Sequence, residues 1–287
     1  MSVDEKSGFG ILTQKGQRIS YIYLCGIMPL REIHLSESIT LCPAISSPAP
    51  EDMIDCIMKN GNGDEFSLGI LISTLRSVTA QLKIAGEDAE TLAVNAWNSQ
   101  TLCVLLSALL NCEVAWYFQA DMPVEQFCAT TKVSLIFPQM HTFPGDLTII
   151  SEEQGRCIEE SISTVSALDS NERFSNATNA LWNYRNVFRP AVQLSIIWGG
   201  IESLLPFEKQ IKKNLSIAAS RFLRNDDSLV QHVKDLYVGR CKAVHEYQNA
   251  PENVLSDSVE LLHKLVIKCI ETHSTPNIAE LLKEKQQ

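Results

Sequence analysis

The sequence has no basic-then-apolar leader, no Cys-x-x-Cys pair, no glycine-rich phosphate loop followed by lysine, no Gly-x-Ser-x-Gly, no His-Glu-x-x-His and no internal repeat. Each absence removes a class of protein. The opening Met1-Ser2-Val3-Asp4-Glu5-Lys6 predicts a chain with no secretory signal. Nine cysteines, an odd number scattered from Cys25 to Cys269, predict unpaired thiols in a reducing cytoplasm, not a disulfide framework or a structural zinc site. The missing motifs exclude a P-loop nucleotidase, a serine hydrolase of the nucleophile-elbow type and a zincin, so no metal and no cofactor is expected. Long apolar runs are scarce too. The longest, Leu92 to Leu110, is interrupted by Asn95, Asn98, Ser99, Gln100 and Thr101, which predicts a buried helix and no membrane association.

Positive charge is in short supply, and unevenly so. The formal net charge is −10. Residues 1–156 hold nine Lys and Arg against eighteen Asp and Glu, whereas residues 157–287 hold fifteen against sixteen. The acidity therefore belongs to the first half. Residues 207–242 carry eight basic and four acidic side chains, which suits either a solvated helix face or a grip on a phosphate backbone. What is plentiful is core material. Hydrophobic residues make up 45% of the 287, enough for one large domain or two ordinary ones.

The periodicity changes near position 150. Before it the chain reads as α+β. Ile19–Gly26 and Glu32–Leu41 lean to strand, and Pro43, Pro48 and Pro50 then break the pattern. Gly61-Asn62-Gly63-Asp64 reads as a turn, and Val78–Ala85 as a strand ending at Gly86. A helix of about 24 residues opens at Glu87-Asp88, with acids suited to its first turn. Strands are expected at Glu113–Gln119 and Lys132–Phe137. Beyond Gly145 the apolar residues recur every three or four positions. They mark helices through Ile158–Leu168, Phe174–Tyr184, Val192–Leu205, Ile211–Phe222, Leu229–Val244 and Val254–Cys269, with a short one near Ile278–Leu282. The expectation is a mixed sensor or regulatory region over 1–150 and an all-helical bundle over 151–287, with short connections.

Two constellations bear on chemistry. Cys128 with His141 pairs a thiol with an imidazole, but a structural cysteine near an unrelated histidine explains them more simply. The second is Arg240-Cys241-Lys242-Ala243-Val244-His245, late on the fifth helix of the second half. Its residue types fit cleavage of RNA without a metal. An imidazole near neutral pH can move protons at the ribose 2′-OH and the leaving 5′-oxygen. A guanidinium can fork two hydrogen bonds onto phosphate oxygens and stabilise the charge of the transition state. The nucleophile is then the substrate's own hydroxyl, so DNA should resist. Lys242 could hold a neighbouring phosphate. His245 could equally be a surface helix residue, and Trp198 reads as core. Positions five apart on a helix lie about 140° apart around it and about 7.5 Å along it. Either the long arm of Arg240 closes that gap, or the helix frays, or a second copy completes the site.

Arg240, four residues and then His245 is the short form of the motif of HEPN ribonucleases. Ile196-Ile197-Trp198-Gly199-Gly200-Ile201-Glu202-Ser203-Leu204-Leu205 resembles the helix that precedes this motif in the Apea-like HEPN branch, and Ser220-Arg221-Phe222-Leu223 resembles the same branch. Ala96-Trp97-Asn98 to Leu110 and Trp116-Tyr117-Phe118-Gln119 resemble the region found ahead of such domains. The resemblance implies a metal-independent endoribonuclease acting in anti-phage defence or a toxin-like stress response. Arg240 and His245 would be catalytic, with Glu202, Lys242 and Arg221 supporting the site or binding RNA. It also implies a homodimer that pairs two motifs about a two-fold axis, and a protein or phage trigger read by residues 1–150. The alternative is a catalytically inactive HEPN module that binds RNA, a nucleotide or a protein; a helical half that merely dimerises is a third. The chain departs from the pattern at Cys241, where asparagine is common, and at Glu246, where a small residue is usual.

Overall fold

A computed structural model describes residues 13–60, 69, 72–73, 75–135, 146–223, 226–245 and 252–283. The expected turn at Gly61–Asp64, and His141, lie outside them. The chain is α+β at first and helical thereafter. It divides into two compact units, Met1–Leu106 with Cys112–Ser163, and Ser107–Asn111 with Thr164–Gln287.

The first unit is built on an antiparallel sheet of order β3-β4-β5-β1-β6-β7. Its strands are β1 (Ile19–Cys25), β3 (Ile33–His34), β4 (Ile39–Pro43), β5 (Ala80–Ala85), β6 (Ala115–Ala120) and β7 (Val133–Leu135). The single strand expected over Glu32–Leu41 is thus a hairpin, β3 and β4, closed by hydrogen bonds from Leu35 and Ser36 N–H to the Ile39 carbonyl. Central strands covered on both faces need not alternate, and Ile22 through Cys25 are all buried. Tyr21, Tyr23 and Cys25 face a cluster with Met53 and Cys56 of α1 (Pro50–Asn60). Leu24 lies opposite Trp116 of β6, whose indole N–H donates to Gln100 of α2 (Ala89–Leu110). Between the Ile22–Gln119 and Leu24–Trp116 pairs the register of β1 on β6 shifts by one residue, a β-bulge, and both Tyr117 and Phe118 enter the same cluster.

Helix α1 was not evident from the sequence because Pro50 reads as a breaker; it stands instead as the first residue of the helix. Two further short strands, β2 (Ile27–Pro29) and β8 (Thr148–Ile150), form a parallel pair that the helical reading after Gly145 did not anticipate. By length and composition α2 is apolar enough to cross a bilayer. In the structure Leu92, Ala96, Ser99, Cys103 and Leu106, spaced four and three residues apart, are buried.

The boundary expected at 150 lies farther on, inside α3 (Glu152–Asp169). The reason is contact with residues far away in sequence. The Glu159 carboxylate accepts 2.9 and 2.7 Å hydrogen bonds from the Arg31 guanidinium and another from the His34 N–H. One turn earlier, Gly155 meets the Ile33 side chain. The first three turns of α3 therefore belong with the sheet.

The second unit holds α4 (Glu172–Asn183), a 3-10 turn (Tyr184–Asn186), α5 (Pro190–Leu204), α6 (Ile211–Leu223), α7 (Asp227–His245), α8 (Glu252–Glu271) and the short α9 (Ile278–Leu281). Asn171 caps α4 by accepting from the Arg173 N–H, and Pro190 occupies the first turn of α5. Leu194, Ile197, Trp198, Ile201 and Leu204 are fully buried, so α5 is the central helix, packed against α4, α7 and α8. Each such aliphatic side chain contributes roughly 1.5–3 kcal/mol of burial. Gly200 lets the neighbours come close: a Cβ there would stand 2.7 Å from Ala180 Cβ and 2.9 Å from Leu262 Cδ2.

Candidate functional site

The site is assembled where α7 crosses α5. Asp226 caps α7, its carboxylate accepting from the Ser228 N–H at 2.8 Å. The helix then continues without a break to His245. Gly239 does not interrupt it. A Cβ there would press to 2.8 Å from the Val254 side chain, so the missing side chain is what lets α8 pack on this turn. Arg240 and His245 thus share one continuous helix, which removes fraying between them as a way to bring them together. The His245 side chain, and Glu246, lie outside the described part of the structure.

Arg240 sits between two neighbours, Glu202 and Tyr237. Its Nη2 lies 3.8 Å from Glu202 Oε1. Its Cζ lies 5.8 Å from the centre of the Tyr237 ring, one turn back along α7. The Tyr237 ring meets Trp198 edge-on, at 5.4 Å and 85°. Trp198 is fully buried and donates its indole N–H to Ser258 Oγ at 3.1 Å. Burial pushes the Tyr237 phenol up from its ordinary pKa, and the nearby Cys241 and Glu202 add to this. The Arg240 side chain is only 16% exposed, and its Nε is buried with no hydrogen-bond partner among the described residues. An unpaired buried donor on a cation costs at least about 1–3 kcal/mol, so this guanidinium is under-satisfied as it stands.

Side chains on a helix lean toward its N-terminus, and Arg240 does so, folding back toward Tyr237. That is the direction away from His245.

The other expected residues are placed as follows. Glu202, half-buried on α5, has Arg240 and not Arg221 as its ion-pair partner. Arg221 is engaged elsewhere, donating from Nη1 to the Leu281 and Lys283 carbonyl oxygens at the end of α9, 2.7 and 3.0 Å away. Lys242 is exposed on α7, and Cys241 is half-buried. Cys128 shares a hydrogen bond with the Thr130 hydroxyl and accepts one from the Thr131 hydroxyl, and these contacts hold its pKa below the ordinary thiol value. Among the described residues, no three of His, Cys, Asp and Glu are grouped to hold a metal ion. The sequence reading missed Tyr237. Its signal was available, an aromatic three residues before an arginine on one helix face. Ser258 gave no signal, because only the packing of α8 brings it to Trp198. Comparison of the chain with protein-family models, curated proteins and solved structures gives no match.

Proposed function

We propose that the helical unit is a HEPN-type endoribonuclease that cuts RNA without a metal, with Arg240 and His245 as its catalytic pair. The observation that carries this is Arg240 itself: a largely buried guanidinium whose Nε has no partner among the described residues, on an unbroken helix five residues before His245. Phosphate oxygens suit the terminal Nη donors of such a group. Arg240 would stabilise the phosphorane, while His245 would take the 2′-OH proton and return one to the 5′-oxygen. Glu202 would place a negative charge beside Arg240, and exposed Lys242 would contact a flanking phosphate. As the HEPN resemblance implies, a second copy related by a two-fold axis would complete the pair. The acidic first unit would then serve as sensor or brake, in a cytoplasmic defence or stress response.

The test is cleavage of single-stranded RNA in EDTA by the purified protein. We expect wild type to cut RNA and spare DNA of the same sequence. Arg240→Ala and His245→Ala should each lower the rate by about 100-fold or more, with unchanged circular dichroism. Cleavage that survives in both variants would sink the assignment. The backward lean of Arg240 also supports a second reading, a catalytically silent module that binds RNA. That reading wins if the protein binds RNA with a steep salt dependence and never cuts it.

A further inference from the structure

We infer that Tyr237 is a positioning residue for Arg240, and that its aromatic face, not its hydroxyl, performs this role. The inference rests on the proposed role of Arg240 for its functional consequence, but not for its geometry. A guanidinium on a long flexible stem loses considerable side-chain entropy when it is held still, and a loosely held one is a poor electrostatic catalyst. The ion pair with Glu202 is too long to hold it: 3.8 Å, to one oxygen, from a carboxylate that is itself 36% exposed. Nε has no partner among the described residues. What remains is the Tyr237 ring, 5.8 Å from Cζ.

That ring is rigid for reasons that can be traced. It stands at 85° to Trp198, and Trp198 is tied to Ser258 on α8, whose hydroxyl donates in turn to the Val254 carbonyl at 2.6 Å. Val254 is also the side chain that closes on Gly239, one residue before Arg240. Three helices therefore fix the plane against which the guanidinium rests. A planar cation whose face lies over an aromatic ring keeps its in-plane N–H donors turned away from that ring, so the ring can fix its plane without using those donors.

The experiment compares Tyr237→Phe, Tyr237→Leu and Tyr237→Met in the full chain. Two readouts are taken: RNA cleavage kinetics, and the Arg240 Nε–H resonance in protein carrying nitrogen-15 arginine, assigned by its loss in Arg240→Ala. Tyr237→Phe should keep both. Tyr237→Leu should lower kcat on the order of tenfold with KM changed by less than about twofold. It should also shift the Arg240 resonance and speed its exchange with water. Tyr237→Met covers the case in which the leucine variant fails to fold. If wild type never cuts RNA but the resonance moves only in the ring-less variants, the positioning role stands and the nuclease reading falls. If RNA is cut and neither kcat nor the resonance responds to Tyr237→Leu or Tyr237→Met, the positioning role is overturned while the nuclease remains.

Discussion

At the scale of single residues, two adjacent glycines separate propensity from packing. Gly199 and Gly200 sit side by side within α5, where glycine costs roughly 0.5–1 kcal/mol relative to alanine. Nothing lies within 4 Å of a Cβ at Gly199, whereas a Cβ at Gly200 would collide with Ala180 and Leu262. Gly199→Ala should therefore raise stability by up to about 1 kcal/mol, and Gly200→Ala should lower it by about 1–3 kcal/mol. Urea denaturation of the two variants checks this, and equal effects would contradict the packing described. The sequence shows two identical letters here, and only their neighbours from α4 and α8 tell them apart.

Elements depend on their ends as much as on their faces. The C-terminus of α5 leaves carbonyl groups that its own helix cannot satisfy. Arg173 of α4 meets them, donating from Nε to Ser203 and from Nη2 to Leu204, and also to Pro276 at 3.0 Å. Burial pulls the Arg173 pKa down, yet arginine stays charged at any ordinary pH. Arg173→Met should keep the packing of the stem and lose these bonds, lowering stability by about 1.5–3 kcal/mol. A thermal melt of this variant that matches wild type would show the carbonyls to be satisfied without it. The apolar stripe of α5 was legible, since Leu194, Trp198, Ile201 and Leu205 recur at helical spacing and are all fully buried. Its cap was not, because Arg173 lies 30 residues away in sequence. Helix α1 is the opposite case: a proline followed by Glu51 and Asp52 is a helix start, and the cluster of prolines before it obscured the signal.

For the whole molecule, two groups give stability a pH dependence with a definite sign. His263 of α8 lies against the Leu109 carbonyl, and desolvation by burial lowers its pKa despite that contact. In the unfolded chain it protonates near its ordinary value of about 6.5, but in the folded protein only at lower pH. The unfolded state therefore binds more protons in that window, and stability falls as pH drops through about 6.5. Glu159, held by Arg31 and the His34 N–H, has a folded pKa of about 2. It contributes stability above the unfolded value of about 4.3, and that is lost as pH falls from there toward 2. The unfolding free energy followed from pH 7.5 downward should show both losses. His263→Gln should abolish the first, and Glu159→Gln the second. A profile that is flat between pH 7 and 5.5 in wild type would contradict the buried, neutral histidine. The sequence by itself determined the order of classes, sheet first and helices after, because hydrophobic period is a local property of neighbouring residues. It also singled out Arg240 and its distance along the helix to His245. Only the tertiary structure decided the hairpin of β3 and β4, the pairing of β2 with β8, the extension of the first unit to Ser163 and the seat of Arg240. Those depend on residues far apart in the chain meeting face to face, and no local pattern encodes such meetings.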